Sequence, residues 1–134
     1  MEETVPKNMM PGNETILIVD DNDLLIDVMR EMLSYLGYEV LFARSGREAV
    51  KIYGEHQDDI DLVIPDMIMP GLNGGETFQI LQGIDPHVRV VLSSGYGLND
   101  LVKTDVDRGI KAFLQKPYSL KELSQKITEA FEAP

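Results

Sequence analysis

Five short, mostly apolar runs are spaced along the chain, and each is followed by a segment of helical period. They are Thr15–Val19, Tyr38–Ala43, Asp61–Pro65, Val88–Leu92 and Lys111–Gln115. Runs of this length between turn residues read as buried strands. Strict alternation of strand and helix excludes a β-sandwich and a helical bundle. It leaves an α/β fold: a five-stranded parallel sheet, doubly wound through right-handed crossovers, with helices on both faces.

The helical segments carry their own signals. Leu24, Leu25, Val28, Met29, Met32, Leu33 and Leu36 lie at helical spacing, with Asn22 or Asp23 as the cap and Gly37 just beyond the end. Ser45-Gly-Arg-Glu48 and Ser119-Leu-Lys-Glu122 have the form of capping boxes and open the second and the last helix. A short helix is expected over about 76–82. A weaker one is expected over about 98–108, where an apolar face of Leu101, Val102 and Val106 is thin enough to predict mobility. Residues 1–13, punctuated by Pro6, Pro11 and Gly12, read as a disordered lead-in or linker, and 14–132 as a single domain.

Composition narrows the function. The absence of Cys removes disulfide, thiolate and Cys-based zinc chemistry. A net charge of −11 opposes direct binding to nucleic acid or to an anionic membrane. No apolar run has membrane-spanning length and no signal peptide is present, so a cytoplasmic location is expected.

The residues just past the strands are more informative. Asp20 and Asp21 come after the first, Asp66 after the third, Ser94 after the fourth and Lys116 after the fifth. In a doubly wound sheet the carboxyl ends of the strands line one crevice. Three carboxylates brought together repel one another, and one lysine offsets only part of that charge. A hard divalent ion with oxygen ligands, Mg²⁺ or Mn²⁺, is the remedy. We expect Asp21 and Asp66 as direct ligands, Asp20 acting through water, and a backbone carbonyl near Ile68 completing the set. A carboxylate beside such an ion is equipped to accept a phosphoryl group. Asp66 is the expected acceptor, with Lys116 and Ser94 holding phosphoryl oxygens.

In isolation each residue has an ordinary reading. Asp20 and Asp21 could cap a helix, Asp66 could be a turn residue before Pro70-Gly71, Ser94 could be a loop serine and Lys116 a solvated lysine. Their joint placement at strand ends outweighs these readings. His56 and His87 are read as surface residues.

With Ile18-Val-Asp20-Asp21, Asp61 to Asp66, Met69-Pro70, Asn73-Gly74, Ser93-Ser94-Gly95 and Phe113-Leu-Gln-Lys116-Pro117 in this order, residues 14–132 resemble the receiver domain of two-component response regulators. The resemblance implies a flavodoxin-like sheet of strand order 2-1-3-4-5. It implies phosphoryl transfer to Asp66 from a phosphohistidine on a sensor histidine kinase or phosphotransfer protein. It implies a switch through Ser94 and Phe113 that remodels a protein-interaction surface, and a cis bond between Lys116 and Pro117. It also implies a signalling domain rather than an enzyme, one that promotes its own phosphorylation and dephosphorylation, as a monomer or weak dimer. The segments around Pro11 to Thr15 and Ser93 to Tyr96 resemble receivers fused behind hybrid sensor kinases.

Pro65 departs from the pattern, since the family carries an aliphatic residue before the acceptor. Proline has no N–H to give to a central strand, so we expect it to end the ladder one residue early and tilt Asp66. Ile68 and Tyr96 are expected to flank the phosphoryl group. Two other functions compete. An aspartate-nucleophile phosphatase of the haloacid dehalogenase type is suggested by Asp21-Asn-Asp23, but Leu25 stands where that family has Thr or Val. A phosphate-blind interaction module leaves the acidic and lysine set unexplained.

Overall fold

The computed structural model describes residues 14–95 and 109–133. The expected lead-in, the expected helix at 98–108 and Tyr96 lie outside the described residues. In chain order the elements are β1 (Thr15–Val19), α1 (Asp23–Tyr35), β2 (Glu39–Ala43), α2 (Gly46–Glu55), β3 (Leu62–Pro65), α3 (Gly74–Ile84), β4 (Val91–Ser94), β5 (Ala112–Gln115) and α4 (Leu120–Glu132).

The caps explain where the helices start. The Asn22 side chain accepts from the N–H groups of Leu24 and Leu25, so Asn22, not Asp23, caps α1. Gly37, at φ 96°, turns the chain out of this helix. Ser119 and Glu122 form the reciprocal box expected at α4. At α2 only half of the box forms. Ser45 Oγ accepts from the Glu48 N–H, but the Glu48 carboxylate takes the N–H of Arg44 instead of that of Ser45. α3 starts at Gly74, earlier than expected, because Asn73 and Glu76 form a capping box of their own.

β1 pairs in parallel with β2 on one side and β3 on the other, and β4 pairs in parallel with β5. Two isolated parallel bridges, Val63↔Val90 and Asp66↔Ser93, set β4 beside β3. The strands therefore run in the order β2-β1-β3-β4-β5. Both faces are covered, so the runs are apolar throughout rather than alternating. Leu17, Val19, Val63 and Leu92 pack under Phe78 and Leu81 of α3. Ile16, Ile18, Ile64 and Leu114 pack against Met29 of α1 and Ile127 of α4.

Two expectations about the strands need correction. β4 runs from Val91 to Ser94 rather than from Val88 to Leu92. Val88 is still part of a turn, its N–H bonded to the Asp85 carbonyl. Pro65 does not end its strand early either: the β1 ladder runs through it, with Val19 opposite Pro65, and the Asp66 N–H continues to the Val19 carbonyl at 2.9 Å.

The cost of Pro65 falls on the other edge. Toward β4 the donors of β3 are Val63, to the Arg89 carbonyl, and Met67, to the Ser93 carbonyl. In that register the nitrogen of residue 65 faces the carbonyl of Val91. Both bridges share that register, and the two pairs missing between them, Ile64 with Val91 and Pro65 with Leu92, each need the absent N–H. The ladder breaks there for this reason.

Candidate functional site

Four backbone hydrogen bonds continue the sheet past its strand ends and fix the side chains of interest. Asp20 donates to the Ala43 carbonyl (3.1 Å), Asp66 to Val19 (2.9 Å), Met67 to Ser93 (2.6 Å) and Lys116 to Ser94 (2.7 Å). Each functional residue is thus the first or second past the end of a strand, or the last one in it.

Asp20, Asp21 and Asp66 offer carboxylate oxygens that all lie within 4.8 Å of one another. Asp20 and Asp66 are buried, at 3% and 8% exposure, and Asp21 is exposed. Asp20 Oδ1 accepts the Asn22 N–H at 2.9 Å, which ties its carboxylate to the residue that caps α1. Lys116 Nζ reaches between the two buried acids, 3.1 Å from Asp20 Oδ2 and 3.0 Å from Asp66 Oδ1.

The charges do not balance. Burial raises the Asp66 carboxyl above its ordinary value; Lys116 pulls it down, while Asp20 and Asp21 push it up again. Burial lowers Lys116, but Asp66 and Asp20 outweigh this and hold its ammonium above the ordinary value. The two shifts differ in their main cause, burial for Asp66 and the neighbouring carboxylates for Lys116, and one ammonium leaves three carboxylates with surplus negative charge. The set suits a small divalent ion: oxygen donors only, few of them, with one open to water. Asp21 and Asp66 could ligate it directly and Asp20 through a water.

Ser94 is buried at the end of β4, next to the strand that carries Asp66. Phe113 is half-buried on β5, opposite Leu92. Ile68 lies two residues beyond Asp66, and its side chain is 56% exposed. The Lys116–Pro117 bond is cis. His56 and His87 are exposed and lie away from this cluster.

Sequence patterning alone does not point to two further residues. Gly74 donates its N–H to the Met67 carbonyl at 2.9 Å and lets the start of α3 press on the backbone of Asp66. Tyr118 stands directly after the lysine-proline pair. Burial, then the charge of Asp20, and also Asp66 raise its hydroxyl to about 12, while the Ser93 hydroxyl opposes this without reaching hydrogen-bond geometry. An aromatic next to Lys116-Pro117 was the signal available for Tyr118. Beside it a groove of about 480 Å³ runs between α1 and the β5–α4 loop, walled by Leu25, Val28, Met29, Met32, Pro117 and Tyr118.

Residues 16–128 match the family described as the response regulator receiver domain. The chain belongs to this family. A receiver domain is a phosphoacceptor module of two-component signalling, and the acidic pocket has the composition that this chemistry uses. The chain is 35% identical over 115 residues to the chemotaxis protein CheY of Thermotoga maritima, covering 85% of this chain and 94% of that protein. It is 31% identical over 123 residues to the sensor kinase CckA of Brucella abortus, where the match covers 92% of this chain but only 13% of the kinase. Receivers thus occur both alone and as small parts of long chains. Among solved structures, the CheX–CheY–BeF₃–Mg²⁺ complex of Borrelia burgdorferi superimposes with a TM-score of 0.85 at 29% identity, covering 90% of each chain. No described helix of this receiver is long and apolar enough to cross a membrane.

Proposed function

We propose that Asp66 is the phosphoacceptor of this receiver and that Asp20, Asp21 and Asp66, with a backbone carbonyl near Ile68, hold the Mg²⁺ (or Mn²⁺) that the reaction needs. The observation that carries the reading is the position of Lys116 Nζ, 3.0 Å from Asp66 and 3.1 Å from Asp20, inside a cluster of three carboxylates. A buried acid held next to a cation, in a site whose surplus negative charge a divalent ion would neutralise, is arranged to attack an incoming phosphoryl group.

In the proposed step an Asp66 oxygen forms a bond to phosphorus, and the bond from phosphorus to the donor's imidazole nitrogen breaks. The electron pair stays on the nitrogen, which takes up a proton. Lys116 then leaves its shared position to bind one phosphoryl oxygen, and Ser94 binds another. When bound, the divalent ion supplies neutralisation of the phosphoryl charge. Asp20, with one oxygen fixed by the Asn22 N–H, orients the acid cluster and does not react.

The donor is a phosphohistidine on a sensor histidine kinase or phosphotransfer protein. Movement of Ser94 toward the phosphoryl group, followed by Phe113, is the proposed route to a changed protein-contact surface. Autodephosphorylation by water is the reverse half of the cycle. Ile68, exposed beside the acceptor, and Tyr96 are proposed to slow that attack.

The test is incubation with acetyl phosphate and Mg²⁺, read by intact mass. One acid-labile phosphoryl group is expected on the wild-type chain and none on Asp66→Asn. Turnover of acetyl phosphate with no stable adduct on any residue would point to a phosphatase instead. An adduct that survives Asp66→Asn would overturn the assignment of the acceptor.

A further inference from the structure

The continuous ladders of the sheet fall into two sets, β2-β1-β3 and β4-β5, joined across β3 and β4 by the bonds of Val63 to Arg89 and of Met67 to Ser93, and the gap between those two bonds coincides with one residue. A central strand of a buried parallel sheet ordinarily gives a donor to each neighbour in turn. β3 gives Val63 and Met67 to β4, and between them stands Pro65. The seam is therefore local, a single absent N–H, and it lies directly under the acceptor.

The functional residues are divided by this seam. Asp20, Asp21 and Asp66 belong to the β2-β1-β3 piece: Asp66 is registered to β1 through its N–H to Val19. Ser93, Ser94, Phe113 and Lys116 belong to the β4-β5 piece, and the Lys116 N–H to the Ser94 carbonyl ties its two strands together beyond their ends. The acids are on one body, and the hydroxyl and ammonium on the other.

We infer that Pro65 makes the β3–β4 seam a slip plane, across which the β4-β5 pair shifts as one body when the acceptor site is filled. This rests on the reading of Asp66 as the acceptor. Without the proline N–H, β4 can move relative to Asp66 while breaking fewer backbone bonds than an unbroken ladder would require. The Met67-to-Ser93 bond at 2.6 Å acts as the pivot. Ser94 and Lys116 then travel together toward the phosphoryl oxygens, and the register of the three acids is kept by β1. Pro65 is a positioning residue that touches no reacting atom.

The experiment uses the full chain and two substitutions, Pro65→Val and Pro65→Ala, each of which restores the N–H. Amide hydrogen exchange is followed residue by residue, with and without Mg²⁺ and BeF₃⁻ as the phosphoryl mimic. In the free variants we expect the Met67 and Val63 amides to exchange at least about fivefold more slowly than in wild type, as one added backbone bond implies. A proline that served only to stiffen the unfolded chain predicts the opposite, faster exchange throughout on its removal. With the mimic bound, wild type should change exchange in 91–94 and 112–115 with little change in 15–19, and the variants should show a smaller change.

Unaltered or faster exchange at Met67 in both free variants overturns the seam. A mimic-induced change spread equally over β1, β3 and β4 overturns the two-body motion. Absence of any response to Mg²⁺ and BeF₃⁻ in wild type overturns the acceptor reading and the motion together, while the seam is still decided by the free-state comparison.

Discussion

A Cβ added to Gly74 would lie 2.6 Å from the carbonyl oxygen of Asp66. The same atom would be 2.9 Å from Met67 Cα and 2.7 Å from Leu92 Cδ1, so backbone on one side and a packed core residue on the other leave no room to yield. The start of α3 and the backbone of Asp66 are locked together by the absence of a side chain. Gly74→Ala must move one of them. We expect a loss of stability of about 1–3 kcal/mol, typical of overpacking, measured by urea denaturation. Phosphoryl uptake from acetyl phosphate should slow in the same variant. Gly54→Ala, whose Cβ meets nothing within 4 Å, should change neither.

Asp66 should cost the metal-free fold stability when ionised. Its carboxyl is raised by burial first, so the favourable contribution of this group is present below the unfolded carboxylate pKa and is lost as pH rises through the higher folded value. At neutral pH the neutral isostere Asp66→Asn should therefore unfold at a higher temperature than wild type when EDTA is present. Added Mg²⁺ should reverse the ranking, because it stabilises only a native state that can bind it, by RT ln(1 + [Mg²⁺]/Kd). Calorimetric scans of both proteins with Mg²⁺ and with EDTA test this. An Asp66→Asn protein with the same Mg²⁺-dependent rise in Tm as wild type would remove Asp66 from the ligand set.

Tyr118 gives an alkaline signature. Its hydroxyl is raised by burial and by Asp20 to about 12, from an ordinary 10.0. The folded pKa is the higher one, so stability from this group is intact below pH 10 and falls as pH rises from 10 toward 12. Two units correspond to about 2–3 kcal/mol. Denaturation of wild type and Tyr118→Phe at pH 9 and pH 12 should show the variant losing less stability over that interval. Equal losses would place the Tyr118 hydroxyl in water rather than in the buried surroundings that raise it.

At the opposite end of the sheet, Tyr53 donates to Asp85 Oδ2 at 2.9 Å and ties α2 to the end of α3. Tyr53→Phe removes that hydrogen bond and leaves the ring buried. The expected cost is about 1 kcal/mol, with acetyl phosphate uptake and Mg²⁺ affinity unchanged. A parallel loss of uptake would mean that the two ends of the sheet are coupled.

The site was legible in the sequence because its members all occupy one kind of place. Asp20, Asp66, Ser94 and Lys116 each stand at or just beyond a strand end, and strand ends can be found from where apolar runs stop. What could not be read was direction across the sheet. Pro65 announces a missing donor, but the edge on which it is missing depends on register, and register is set by pairing partners far away in sequence. The ladder was expected to end one residue early; it runs on along β1 and breaks only toward β4. The same limit moved β4: Val88 and Val90 are as apolar as Leu92, yet Val88 is held in a turn by its bond to Asp85 and Val90 makes only an isolated bridge to Val63, so the continuous ladder starts at Val91. Gly74 was visible as a turn glycine, but the approach of the Asp66 carbonyl that requires it was not.

The three acids differ in how they meet the outside. Asp20 has one oxygen engaged by Asn22 and the other by Lys116, Asp66 is shared with the same lysine, and only Asp21 stands in solvent. A divalent cation held by these acids would meet Asp21 before either buried acid. Asp21 would be its first contact, screened by salt as a surface charge is. Ionic strength would then bear on how fast a cation arrives through Asp21 more than on how firmly buried Asp66 holds it.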